Sequence, residues 1–130
     1  MTGQAPARQS YEIIIIGGAI MGSSTAWFLS DDADFNGSVL VVERDPTYEF
    51  ASTTHTNSCM RQQFSEELNV RISQFAADFV KNLRARMGDD PRIPNLSIRS
   101  FGYMYLADTD ASANVLRENL KVQHAAGAEP

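Results

Sequence analysis

Several residue types are scarce in this sequence, and each shortage removes a class of protein. Cys59 is the single cysteine among 130 residues, so no internal disulfide can form and nothing points to an oxidising compartment. Basic residues are few and scattered, with 11 Lys and Arg against 16 Asp and Glu and a net charge of −5. That balance, without a basic cluster, argues against nucleic acid or an anionic membrane surface as a partner. No apolar run approaches the roughly 18 residues that would span a bilayer. The first ten residues, "MTGQAPARQS", hold no apolar h-region, which speaks against a secretory signal, and residues 1–10 are expected to form a flexible tail. A cytoplasmic location is expected, with an organellar matrix left open. Internal repeats and low-complexity tracts are also missing, and no metal is expected.

What is present is the composition of an ordinary globular domain, 43% hydrophobic and 21% charged. At this length one compact core is the most it builds. In "YEIIIIGGAIMGSSTAWFL" the β-branched run from Glu12 to Ile16 predicts a strand buried on both faces of a parallel sheet. Gly17 and Gly18 break it, and small residues from Ile20 to about Leu29 suit a helix packed closely on that sheet. Asn36-Gly37 lies in a polar turn, and Val39 to Val42 predicts a second buried strand ending at Glu43. The parse is a βαβ unit. A long polar connection, "TYEFASTTHTNSCMRQQF", follows without a clear period. From Ser65, the spacing of Leu68, Ile72, Phe75, Phe79 and Leu83 predicts a helix with one apolar face, ending at Gly88. "DDPRIPNL" reads as a linker and "FGYMYLA" as a strand. A last helix is expected after Asp108 to Asp110, with Leu116 and Leu120 inward and Gly127 just past its end.

The glycine turn carries the chemistry. A dinucleotide pyrophosphate needs a backbone that comes close, N–H donors and a favourable dipole, all supplied where a strand turns into a helix N-terminus. Glycines permit positive φ and remove the Cβ atoms that would block the approach. The positions here are Gly17, Ala19 and Gly22, so a GxGxxG pattern lacks its middle glycine, and Gly18 is an alternative point of close approach. Glu43 ends the next strand 21 positions after Gly22. A carboxylate there accepts hydrogen bonds from a ribose diol and repels a 2′-phosphate, which favours FAD or NAD over NADP. The plainer alternative is that the small residues merely allow tight helix–sheet packing and Glu43 is a solvated strand end.

These segments, "IIIIGGAIMGSSTAWFL", "VLVVERD" and "RQQFS" (Arg61 to Ser65), resemble the N-terminal portion of the D-amino acid oxidase-like flavoproteins, the superfamily of sarcosine oxidase, glycine oxidase and dimethylglycine dehydrogenase. The resemblance runs from about Glu12 to the C-terminus. It implies an α/β fold: a Rossmann-like FAD-binding domain over 11–95 and the beginning of a substrate-binding domain over 96–130, with "FGYMYLA" as its first strand. It implies FAD as cofactor and oxidation of the C–N bond of a small-molecule amino acid or secondary amine. Gly17, Gly18, Ala19, Ile20, Met21 and Gly22 would surround the pyrophosphate, Glu43 would hold the adenosine ribose, and Arg44 would lie near the adenine. Ser52, Thr53, Arg61, Gln62 and Gln63 would lie along the ribityl chain and ring, with Arg61 offering positive charge to the ring's pyrimidine side. Its alternative is a surface or phosphate-pairing arginine.

Some relatives attach flavin covalently to a histidine in a similar context, which makes His55 of "STTH" a candidate, against the simpler role of a polar loop residue. Cys59 is expected to be inert and His124 structural. Catalytic residues and oligomeric state stay unassigned. Enzymes of the superfamily are much longer, so the chain is expected to be a truncated fragment, inactive and aggregation-prone by itself, belonging to an enzyme that is active at full length. A non-catalytic dinucleotide-binding module and an NAD-binding dehydrogenase domain are the alternatives. The Ala19 methyl in the turn has a testable consequence: Ala19→Gly is expected to tighten FAD binding modestly, and an unchanged dissociation constant would show the methyl to be harmless.

Overall fold

A computed structural model of the chain describes residues 4–129. The first three residues of the expected tail, and Pro130, lie outside the described residues. The elements are β1 (Ile13–Ile16), α1 (Ile20–Asp31), β2 (Val39–Val42), α2 (Glu67–Lys81), α3 (Leu83–Arg86) and α4 (Asp110–Ala125). The chain divides into two compact units rather than the single core expected from its length, the first ending at Ser58 and the second beginning at Cys59.

The first unit is the expected βαβ. β1 and β2 pair in parallel, Ile13 opposite Val39 through Ile16 opposite Val42. Parallel strands need a crossover, and α1 provides it. Hydrogen bonds pin both ends of the pair. Ile13 N–H donates to the Ser38 carbonyl at 3.2 Å, and Gly17 N–H donates to the Val42 carbonyl at 2.8 Å. The Glu12 carboxylate accepts from Ser38 N–H at 2.8 Å and from the Ser38 hydroxyl, bonds that hold its pKa below the ordinary value. The strands are not buried on both faces as expected from their composition. Ile13 and Ile15 are half-buried, whereas Ile14 is 57% and Ile16 89% exposed. α1 lies on the Ile15 side, since a Cβ on Gly22 would meet the Ile15 side chain at 3.1 Å.

In the second unit the helix expected from Ser65 to Gly88 is two helices. Ser65 does not cap it; Glu66 is the N-cap residue of α2, with no side-chain hydrogen bond. Asn82 separates α2 from α3, its amide bonded back to the Asp78 carbonyl and carboxylate at 3.0 and 2.9 Å. Gly88, at φ 69°, ends α3 as expected. The apolar face read from the periodicity is not the buried one: Leu68, Ile72 and Phe75 are 67%, 56% and 51% exposed. Val70 is fully buried instead, with Ala126 and Ala128, and Phe64 packs against this cluster. Polar bonds reinforce it, because Gln74 Nε2 donates to the Ala126 carbonyl and Gln123 Nε2 to the Phe64 carbonyl, both at 3.2 Å. Gln123, 5% exposed, takes the inward place expected of Leu120, which is 39% exposed.

"FGYMYLA" forms no strand among the described residues. Gly102 leaves the β region at φ 80°, and Phe101, Met104 and Leu106 are more than four-fifths exposed, so the segment has propensity without a ladder partner. α4 is capped by Thr109, whose hydroxyl oxygen accepts from Ser112 N–H at 3.2 Å, with Asp110 in the first turn. It ends in a Schellman closure: Ala128 N–H bonds the Gln123 carbonyl and Gly127 N–H the His124 carbonyl, both at 2.9 Å, around Gly127 at φ 76°. Thr109→Ala is expected to cost about 1 kcal/mol in chemical denaturation by leaving Ser112 N–H without its cap; an unchanged unfolding midpoint would show that water replaces the cap at no cost.

Candidate dinucleotide site

The strand-to-helix turn is built from three glycines, each for its own reason. Gly17 takes φ 98°, which lets the backbone leave β1 and reverse into α1. Gly18 is buried, and a Cβ there would lie 3.1 Å from the Tyr48 hydroxyl, 3.3 Å from Glu43 Cβ and 3.4 Å from the Val41 side chain. Gly22 is the strictest: a Cβ on it would lie 1.8 Å from the Gly17 carbonyl oxygen, a clash that only separation of helix and strand could relieve. Ala19 is the N-cap residue of α1, in extended conformation, with no side-chain cap and no acidic residue in the first turn. The first turn's N–H donors and the positive end of the helix dipole are left for an anion, as a pyrophosphate requires.

The hydroxyls of α1 serve the helix rather than the site. Ser23 donates its hydroxyl to the Gly18 carbonyl and its N–H to the Ala19 carbonyl, the latter at 2.9 Å. Ser24 and Thr25 both donate to the Met21 carbonyl, at 3.0 and 2.8 Å.

Glu43 stands at the end of β2 facing this turn. Its Oε2 accepts from Gly18 N–H and its Oε1 from Asp45 N–H, each at 2.7 Å. These bonds, that from Asp45 first, hold its carboxyl below the ordinary glutamate value, so it is an anion at neutral pH. Lone-pair capacity remains for further donors, which suits a ribose hydroxyl. The geometry thus brings the Gly17–Gly22 turn and Glu43 together, with the Ile20 and Met21 side chains exposed. Arg44 is exposed beside Glu43, and Ser52, Thr53 and His55 lie on exposed turns, His55 N–H bonding the Ala51 and Ser52 carbonyls at 3.3 and 3.2 Å. Tyr48, whose hydroxyl faces Gly18, is absent from the residues that the sequence pattern picks out; a lone tyrosine in a polar stretch carries no spacing signal.

Arg61, Gln62 and Gln63 belong to the second unit. There the Arg61 guanidinium donates to the Tyr105 hydroxyl at 2.7 Å and lies 4.8 Å from the centre of the Phe64 ring. Burial, and then hydrogen bonding with the Cys59 thiol, push the Tyr103 phenol up. Gln63 Oε1 is buried without a hydrogen-bond partner, in a residue lining an open cleft with Tyr103, Tyr105, Leu116 and Gln123. Among the described residues, no cluster of His, Cys, Asp or Glu could hold a metal, and no helix is long and apolar enough to cross a membrane.

A family model described as FAD dependent oxidoreductase matches residues 12–130. FAD-dependent oxidoreductase domain-containing protein 1 of Xenopus laevis is 37% identical over 132 residues, covering 98% of this chain and 26% of that protein. The protein of the same name in Bos taurus gives the same figures, and its Drosophila melanogaster homolog is 35% identical over 117 residues, 90% of this chain and 22% of the fly protein. The chain spans about a quarter of the length of these curated relatives. No solved structure matches.

The Glu43 carboxylate makes the site pH-dependent. Its folded pKa lies below the ordinary value of 4.5, so its stabilisation is complete above that value and is lost as pH falls through the lower folded one. Glu43→Gln keeps one acceptor oxygen and removes the charge. The wild-type chain is expected to melt above this variant at pH 6, with the gap closing as pH drops below 4.5; a gap independent of pH would refute the linkage.

Proposed function

Because this chain belongs to the FAD-dependent oxidoreductase family, we propose that it is the N-terminal FAD-binding portion of an enzyme oxidising the C–N bond of an amino acid or secondary amine. FAD is the family's cofactor. The observation that carries the reading is the union, at one turn, of three glycines without room or geometry for a side chain and an ionised Glu43 tied to Gly18 N–H at 2.7 Å. The glycines fit a pyrophosphate approaching the start of α1, and Glu43 fits an adenosine ribose while opposing a 2′-phosphate.

Bound flavin supplies the redox chemistry by accepting hydride equivalents. The protein's part is to bind and orient. Gly17 through Gly22 offer the backbone, and Arg44 takes the adenine end. Ser52 and Thr53 are the candidates for contact with the ribityl chain, and Arg61, with Gln62 and Gln63, for the positive charge and amides that a flavin ring would meet. Residues 96–130 begin the substrate-binding domain, where the Tyr105 hydroxyl holds the Arg61 guanidinium at 2.7 Å.

Titration of a flavin-free protein of the relatives' length with FAD, followed by quenching of flavin fluorescence, is expected to saturate, with ADP competing and NADP failing to compete. Competition by NADP equal to that of ADP would overturn the Glu43 assignment, and no saturable binding would overturn the FAD reading. In a protein of the relatives' length, sarcosine, dimethylglycine or a D-amino acid is expected to bleach the flavin absorbance without oxygen. Bleaching by alcohols or thiols instead would overturn the C–N assignment.

A further inference from the structure

Tyr48 lies five positions beyond Glu43 and takes φ 57°, a backbone angle that bulky side chains rarely adopt. A chain of hydrogen bonds imposes it. Tyr48 N–H donates to the Asp45 carbonyl at 3.0 Å, and the Tyr48 carbonyl accepts from Ala51 N–H at 3.0 Å and from the Thr54 hydroxyl at 2.8 Å. Asp45 is held in its turn: its carboxylate accepts from Thr47 N–H at 3.0 Å and from the Thr47 hydroxyl at 2.6 Å, and its N–H bonds Glu43 Oε1 at 2.7 Å. Asp45 therefore anchors both the Glu43 carboxylate and the tyrosine.

The result is a phenol turned back onto the glycine turn. The space where Gly18 lacks a Cβ is faced by the Tyr48 hydroxyl at 3.1 Å and by Glu43 Cβ at 3.3 Å, so the hydroxyl and the carboxylate-bearing side chain border one spot. Tyr48 keeps 38% of its surface in solvent, enough for a ligand to reach it.

We propose that the Tyr48 hydroxyl is a second ribose contact of the dinucleotide site, a specificity-determining partner to Glu43. The inference rests on the FAD reading above and extends it. An ionised carboxylate only accepts hydrogen bonds, whereas each hydroxyl of a ribose diol both donates and accepts. Glu43 takes the diol's protons, and a phenol donates to the diol's oxygens. The pair recognises the diol in both senses, which the acceptor-only carboxylate does not do alone.

The test compares ADP with 2′,3′-dideoxy-ADP, by calorimetry, on a flavin-free protein of the relatives' length and its Tyr48→Phe variant. Tyr48→Phe keeps the ring and removes the donor. ADP is expected to bind the variant about three- to tenfold more weakly, the worth of one hydrogen bond. Dideoxy-ADP, which has no diol, is expected to bind both proteins equally. Equal weakening of both nucleotides would make Tyr48 a structural residue and overturn the proposal, as would an unchanged ADP affinity. Failure of the wild-type protein itself to bind ADP is a different result: it would bring down the dinucleotide reading together with this extension of it.

Discussion

Everything in the first unit depends on how closely α1 starts against the end of β1. The Gly17 carbonyl oxygen occupies space that any side chain at position 22 would need, at 1.8 Å from where its first carbon would stand. A methyl group there would push the helix off the sheet, and the energetic penalty of such overpacking is about 1–3 kcal/mol or more. The closeness has two effects at once. It lays α1 on the Ile15 side of the sheet, and it leaves the helix's first N–H groups at the mouth of the turn, uncapped by any side chain.

A second dependency is electrostatic. Glu43 is both a structural tie and a prospective ligand group, and the two roles support each other. Accepting Gly18 and Asp45 N–H groups satisfies backbone donors that the turn would otherwise leave to water, and the same bonds lower the carboxyl's pKa so that it stays charged. Asp45 then relays the arrangement to Thr47 and Tyr48 through a run of short local bonds. The loop after β2 is thereby an extension of the turn's geometry, although it contains no regular secondary structure.

The second unit is organised on different terms. Its buried apolar side chains among the described residues are few and mostly small, Val70 with Ala126 and Ala128. Two glutamine amides, Gln74 and Gln123, tie α2 and the segment before it to α4 by bonding backbone carbonyls. Such bonds add directionality that apolar contact lacks, since burial rewards area and not angle. Large apolar side chains on α2 and on the 101–106 segment stay in solvent.

What the sequence by itself determined are features written in local pattern. The β-branched run, the two glycines after it and the small residues of α1 specify strand, turn and helix without help, and the acidic residue closing the second strand is the one whose carboxylate meets the turn. Gly88 and Gly127 likewise announce helix ends, because only a residue free of Cβ strain takes the left-handed angle cheaply. The tertiary structure alone decided which faces are covered. The step of four and three through Leu68, Ile72 and Phe75 describes an apolar face truly enough, yet burial needs a partner, and the partner in this chain meets Val70 instead. Strand propensity at 101–107 met the same limit, since a strand exists only with a neighbour to pair with. Tyr48 shows the converse. Its place over Gly18 comes from a positive φ and a relay of loop hydrogen bonds, and neither leaves a period or a spacing for a reader of sequence to find.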